Sequence, residues 1–215
     1  MYKYLDKLLE IEKRKVRTSF NRLSVMGFDE LNVVNTRKTT QAIYDKFLSD
    51  NEAMYLKAAK DAYKKALIAA EKEGFSGERD EIDGEWLVGL LAGVNFVSGY
   101  LYNKEAERKR LRLNEQILTA REYNNRAMYQ DSLRRSANLW WSQTVLYGIS
   151  TVDEATVKGF KDMGVQDVRW IAAEDERTCP TCGGRHNKVY RINNIPPKPH
   201  YGCRCYVVPV NEKKE

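Results

Sequence analysis

Cys179-Pro-Thr-Cys182 and His200-Tyr-Gly-Cys203-Arg-Cys205 hold every cysteine of the chain and one of its two histidines. A C-x-x-C pair sits across a tight turn, where two thiols three positions apart converge on one ion. The adjoining Gly183-Gly184 is expected to let the backbone fold over that ion without a Cβ in the way. Pro196, Pro197 and Pro199 stiffen the approach to the second block. Cys203 and Cys205 are two apart and share one side of extended backbone. Cys179, Cys182, His200, Cys203 and Cys205 are thus the candidates for the positions of a tetrahedral, structural zinc site. With both Cys203 and Cys205 bound, His200 stands behind the ligands; with either turned away, His200 is the fourth. Paired disulfides are the competing use of the cysteines. The N-terminus, Met1-Tyr-Lys-Tyr-Leu-Asp6, turns polar at once and gives no apolar signal segment. In a reducing compartment a clustered C-x-x-C holds metal, so zinc is the expectation. His186, in Gly183-Gly-Arg-His-Asn187, reads as a solvated loop histidine.

Around this block the apolar period is that of strands. Val165, Val168, Trp170 and Ile171 suggest one, Lys188 to Arg191 a second, and Arg204 to Val210 a third. A unit of about 165–210 is too small to be held by its own apolar core, and a structural metal would contribute much of its folding energy.

Upstream the period is helical. From Tyr2 to Leu23, Leu5, Leu8, Leu9, Val16, Phe20 and Leu23 recur among Lys, Arg and Glu, and Gly27-Phe-Asp-Glu30 ends the run. Leu31 to Thr40 reads as a short polar connection, followed by helix from Thr40 to Phe47 and again from Asn51 to Lys72. The second of these carries Ala58, Ala59, Ala62, Ala66, Ala69 and Ala70, a small-residue face suited to close helix approach. Gly74 to Asp83 is a charged loop. Helix is expected again from Tyr102, then from Tyr123 to Tyr147 with Trp140 and Trp141 as packing residues rather than a base-stacking platform. Thr151-Val-Asp-Glu154 has the capping-box pattern and would open or restart a helix through Met163, with Gly164 ending it. The fold class is therefore mainly α: a helical body, residues 1–99 forming an N-terminal helical region, with a small zinc-stapled α+β unit at the C-terminal end of 100–215.

Hydrophobic content of 42% excludes disorder throughout, and the longest apolar patch, Trp86 to Tyr102, is too interrupted by Gly, Asn and Ser to cross a bilayer. The net charge of +6 is compatible with nucleic acid without demanding it. Its densest part is Lys104, Arg108, Lys109, Arg110 and Arg112, followed by Arg121 and Arg126. Glu105, Glu107, Glu115 and Glu122 are interleaved for i,i+3 and i,i+4 pairing. Two uses compete for these cations: intrahelical ion pairs, or a face for phosphates or an acidic partner.

The block Trp170-Ile-Ala-Ala-Glu-Asp175-Glu-Arg177-Thr-Cys179-Pro-Thr-Cys182, with Pro196-Pro-Lys-Pro-His200-Tyr-Gly-Cys203-Arg-Cys205, resembles the C-terminal signature of the phage Mu protein F-like minor head proteins. The resemblance runs from about Tyr100 to Val208, through Glu107-Arg-Lys-Arg110 and Asn138-Leu-Trp-Trp141, and more loosely over the N-terminal helices. It implies a low-copy virion component at the portal vertex and capsid interior that acts in head morphogenesis. Its implied partners are the portal protein, capsid or scaffold proteins and double-stranded DNA, with the host cytoplasm as the place of assembly. The chain ends ten residues past Cys205 in Glu-Lys-Lys-Glu, so activities of longer relatives are not expected of it.

Two other readings use the same residues. A zinc-ribbon nucleic-acid protein would need cations beside the metal, and Arg177, Arg185, Lys188, Arg191, Lys198 and Arg204 are candidates. A zinc nuclease would use His186 or His200 with Glu174 or Asp175, but a catalytic zinc keeps an open position and this site is crowded with ligands. The expectation is a protein without catalysis.

Overall fold

The computed structural model describes residues 2–25, 27–77, 85, 86, 89, 99–173, 178–199 and 202–211, with the backbone alone for 99–106. Among the described residues four long helices come first. Helix α1, Lys3–Val25, buries Leu5, Leu9, Val16, Phe20 and Leu23, the amphipathic stripe of the sequence. Helix α2, Val33–Lys72, opens where the Asn32 side chain accepts the backbone N–H of Asn35 at 2.9 Å. It then runs unbroken through both the polar stretch expected at Leu31 to Thr40 and the gap expected between Phe47 and Asn51. No Gly or Pro interrupts residues 33–72. Thr36 and Thr40 are buried inside it, with the Thr40 hydroxyl donating to the Thr36 carbonyl at 2.9 Å. Polar composition was mistaken there for a connection.

Helix α3, Gly99–Glu122, ends in a turn where Asn124 has φ 47°. Asn125 then caps helix α4, Arg126–Asp162, accepting from the Met128 N–H at 2.9 Å. The capping box at Thr151 is not used: Thr151 lies in the interior of α4, is fully buried, and its hydroxyl has no partner among the described residues. No helix break exists at that point to cap. Gly164 ends α4 as its position suggested, with φ 75°. The N–H of Val165 reaches back to the Phe160 carbonyl at 3.0 Å and that of Gly164 to Lys161 at 2.9 Å.

After α4 come β1, Asp167–Ile171, a one-turn helix α5, Pro180–Gly183, then β2, Val189–Arg191, and β3, Tyr206–Val210. The sheet order is β2-β1-β3, antiparallel throughout, with Asp167 opposite both Arg191 and Val210. Pro209 faces Val168 from the edge strand β3, where its missing N–H breaks no inner ladder.

The contacts group the chain into two compact units. One comprises Asp6–Tyr55 and Leu91–Tyr147. Its core gathers on Trp140, whose ring lies 4.7 Å from that of Phe47, 5.5 Å from Phe20 and 6.1 Å from Tyr44. A base-stacking role for Trp140 is thereby closed off; the ring is 2% exposed. The other unit comprises Met1–Leu5, Leu56–Leu90 and Gly148–Glu215. In it α2 and α4 meet through small residues, as the alanine face implied: a Cβ added at Gly159 would stand 2.8 Å from that of Ala66. One buried cluster there joins Ala66, Ala70, Phe160 and Met163 of the helices to Val168, Trp170 and Val207 of the sheet, and to Cys182, Cys203 and Cys205. The strand unit therefore shares its core with helix ends instead of standing on its own.

Candidate metal centre

The first knuckle is built by helix α5. Cys179 is its N-cap, Pro180 occupies the first helical position, and the Cys179 Sγ accepts the Cys182 N–H at 3.3 Å. Neither Gly183 nor Gly184 takes a left-handed φ; a Cβ at Gly183 would meet nothing within 4 Å, and one at Gly184 would stand 3.3 Å from the Pro180 carbonyl. The glycine that the site requires is Gly202, at φ 71°, which turns the chain into Cys203.

Cys182, Cys203 and Cys205 are each 1–2% exposed, and their sulfurs lie within 4.8 Å of one another. The Cys182 and Cys203 sulfurs are 3.5 Å apart. A disulfide would hold them at about 2.05 Å, and no pair of the four cysteines is bridged. Sulfurs about 2.3 Å from a tetrahedral zinc are about 3.8 Å from each other, so this spacing suits a shared ion. The Cys182 thiol has Cys179, Cys203 and Cys205 all as neighbours; burial and then these contacts push its ionisation well above the usual thiol range. Burial raises Cys203 in the same direction. Three buried thiols drawn together form a site that can hold a metal cation, whose charge favours the thiolates. His200 lies outside the described residues, as do Glu174, Asp175 and Arg177.

Histidine 186 differs from its expected role as a solvated loop side chain. It is half-buried, and its Nδ1 accepts the Ala172 N–H at 3.1 Å. That bond places the ring proton on Nε2, so a neutral His186 has no free nitrogen to act as a base.

Behind the cysteines lies a polar group that sequence spacing gave no means of finding. The Lys198 ammonium pairs with Asp153 at 2.5 Å, donates to the Tyr2 hydroxyl at 2.6 Å and to the Cys203 carbonyl at 3.1 Å. The Tyr2 hydroxyl faces Asp153 Oδ1 at 2.6 Å and the Cys205 carbonyl at 3.1 Å. Burial pushes the Asp153 carboxyl up against the pull of Lys198, and pushes the Tyr2 phenol up as well. Asp153 had been read as the middle of a capping box. Tyr2 lies 203 residues from Cys205, so no local signal links them.

The basic segment is on α3. Arg108 and Arg112 are exposed and one turn apart, and Lys109 is half-buried. Arg110 turns inward: its side chain is 11% exposed, its guanidinium sits 5.9 Å from the Tyr44 ring centre, and Glu107 pairs with it at 3.7 Å. The Lys104 side chain lies outside the described atoms. The cations near the cysteines are largely committed within the fold. Arg185 donates to the Pro197 carbonyl at 2.7 Å and stacks on Trp170, Arg191 pairs with Asp167 at 3.0 Å, and Arg204 stands 5.4 Å over the Tyr2 ring.

No described helix is long and apolar enough to cross a membrane. No curated protein and no solved structure matches the chain. A family model does, described as Phage Mu protein F like protein, over residues 127–208. Those residues run from the first turn of α4 to the middle of β3 and take in all four cysteines with the helix they pack on. Residues 127–208 of this chain are thus similar to the phage Mu protein F-like family.

Proposed function

We propose that this protein is a phage or prophage minor head protein, acting in head morphogenesis at the portal vertex and capsid interior. Residues 100–215 are its head morphogenesis domain and residues 1–99 its N-terminal helical region, which contributes Ala66 and Ala70 to the core around the cysteines. The observation that carries this is the family match over 127–208, which coincides with a structural feature of its own, the α4 helix end and the thiol cluster sharing one core. A structural zinc held by four of Cys179, Cys182, His200, Cys203 and Cys205 is part of the reading, with the converging Cys182, Cys203 and Cys205 as three of them. Bound there, the ion supplies the charge that keeps the thiolates deprotonated and ties the α5 knuckle to the turn before β3.

The family, a phage head family, suits a role without catalysis. The zinc-ribbon alternative loses support because Lys198 is held by Asp153 and Arg204 lies over the Tyr2 ring, although Arg185 and Arg191 stay at the surface. The nuclease alternative loses its His186. Contact with DNA is assigned to the exposed Arg108 and Arg112 of α3 with the half-buried Lys109 between them, and Lys104 on the same helix; Arg110 serves the packing against Tyr44.

Co-purification with the portal protein encoded beside it tests the reading. Retention of this chain on immobilised portal at physiological salt is expected, alongside close to one zinc per chain by elemental analysis. A portal that leaves it unbound, together with incorporation of none of it into heads, would end the assignment.

A further inference from the structure

We infer that Tyr2, Asp153 and Lys198 form a latch that positions the Cys203–Cys205 turn for its metal, so that metal loading and the seating of the chain's first residues are one coupled event. This rests on the metal reading above and goes beyond it by assigning residues outside the cysteine block.

The geometry uses every donor. An ammonium has three N–H bonds, and those of Lys198 go to Asp153, to the Tyr2 hydroxyl and to the carbonyl of Cys203. The Tyr2 hydroxyl in turn faces Asp153 and the carbonyl of Cys205. The two backbone carbonyls held this way belong to the two cysteines whose sulfurs converge on Cys182. Fixing a ligand's own peptide fixes the direction of its Cα–Cβ bond, which is how partners behind the ligands tune metal affinity. Charge favours the same arrangement. A zinc held by three or four thiolates carries a net negative charge, and the Lys198 and Arg204 cations lie 5.0 Å and 5.4 Å from the Tyr2 ring centre, beside the cysteine turn. Coupling of this kind is reciprocal: if a seated Tyr2 strengthens metal binding, bound metal must strengthen the seating of Tyr2 by the same factor.

The test uses the full chain with Co2+ and Zn2+ as probes. Tyr2→Phe, which keeps the ring and removes the hydroxyl, and Lys198→Met are compared with the parent and with Lys161→Met. Lys161 is an exposed cation lining the same 340 Å³ cavity as Lys198 but outside the latch. Both latch variants should bind Zn2+ about tenfold or more weakly in competition with a chromophoric chelator, with altered Co2+ ligand-field bands. Lys161→Met should match the parent. In the parent, stripping the metal should speed hydrogen exchange at residues 6–9, whose amides bond back to the carbonyls of the first turn of α1. A parent that takes up neither ion overturns the metal reading and the latch with it. A parent that binds while Tyr2→Phe, still helical by circular dichroism, binds within twofold and with the same Co2+ spectrum overturns the latch alone. A Lys161→Met variant as weak as the others would reduce the effect to overall charge and also overturn it.

Discussion

Tyr129 buries its ring against Phe28, 5.6 Å between centres, and donates its hydroxyl to the Leu23 carbonyl. Burial raises the phenol to about 12 from the usual 10.0. The fold therefore holds this proton more tightly than the unfolded chain does. Its contribution to stability is complete below pH 10 and is lost as pH rises towards 12. Denaturant unfolding between those values should show the parent losing stability more steeply than Tyr129→Phe. Equal slopes would mean that the phenol titrates as it would in water. Charge composition left Arg110 two uses, an ion pair on its own helix or a binding face; its guanidinium lies over Tyr44 with Glu107 3.7 Å away, the packing use of a long cation.

Among the elements, α4 gives the sharpest contrast between local pattern and outcome. If Thr151 capped a helix, removing its hydroxyl would cost about 1 kcal/mol. In the interior of α4 the hydroxyl is buried without a partner among the described residues, so Thr151→Val should be neutral or stabilising in chemical denaturation. A loss near the capping value would restore the start of a helix there. Helix α3 carries the second prediction at this scale. Replacing Arg108, Lys109 and Arg112 together by Gln keeps helix propensity while removing three cations. If they meet phosphates, each contact contributes about −0.9 to the log–log slope of duplex DNA affinity against salt. The triple variant should therefore show a slope flatter by up to about 3 units, measured by fluorescence anisotropy. An unchanged slope moves the contact off α3.

For the whole molecule, the shared core sets what metal removal does. The sequence suggested that chelation would melt a separate C-terminal unit and leave the helices intact. Ala66, Ala70, Phe160 and Met163 belong to the same buried cluster as Cys182, Cys203 and Cys205. Loss of the ion should then raise hydrogen exchange in the three strands and also in the helical turns that carry those residues. The core around Trp140 should stay protected, because no cysteine belongs to it. Strand amides that remain protected after confirmed metal loss would show that apolar burial alone holds this unit.

Periodicity and residue type determined a good deal by themselves. The stripe of α1, the alanine face of α2, the stop at Gly164 and the three strands follow from spacings of two to four residues, where backbone geometry is dictated locally, whereas Cys182 meets Cys203 across 21 positions of chain. Helix continuity did not follow. Polar stretches such as Leu31 to Thr40, and the capping pattern at Thr151, were absorbed into helices because burial and the absence of Gly or Pro in α2 outweighed weak local preferences. The residues behind the cysteines were equally unreadable. Tyr2, Asp153 and Lys198 meet across 151 and 196 positions of chain. Such a meeting is set by how the helices pack and leaves no period in the sequence, so only the tertiary structure could decide it.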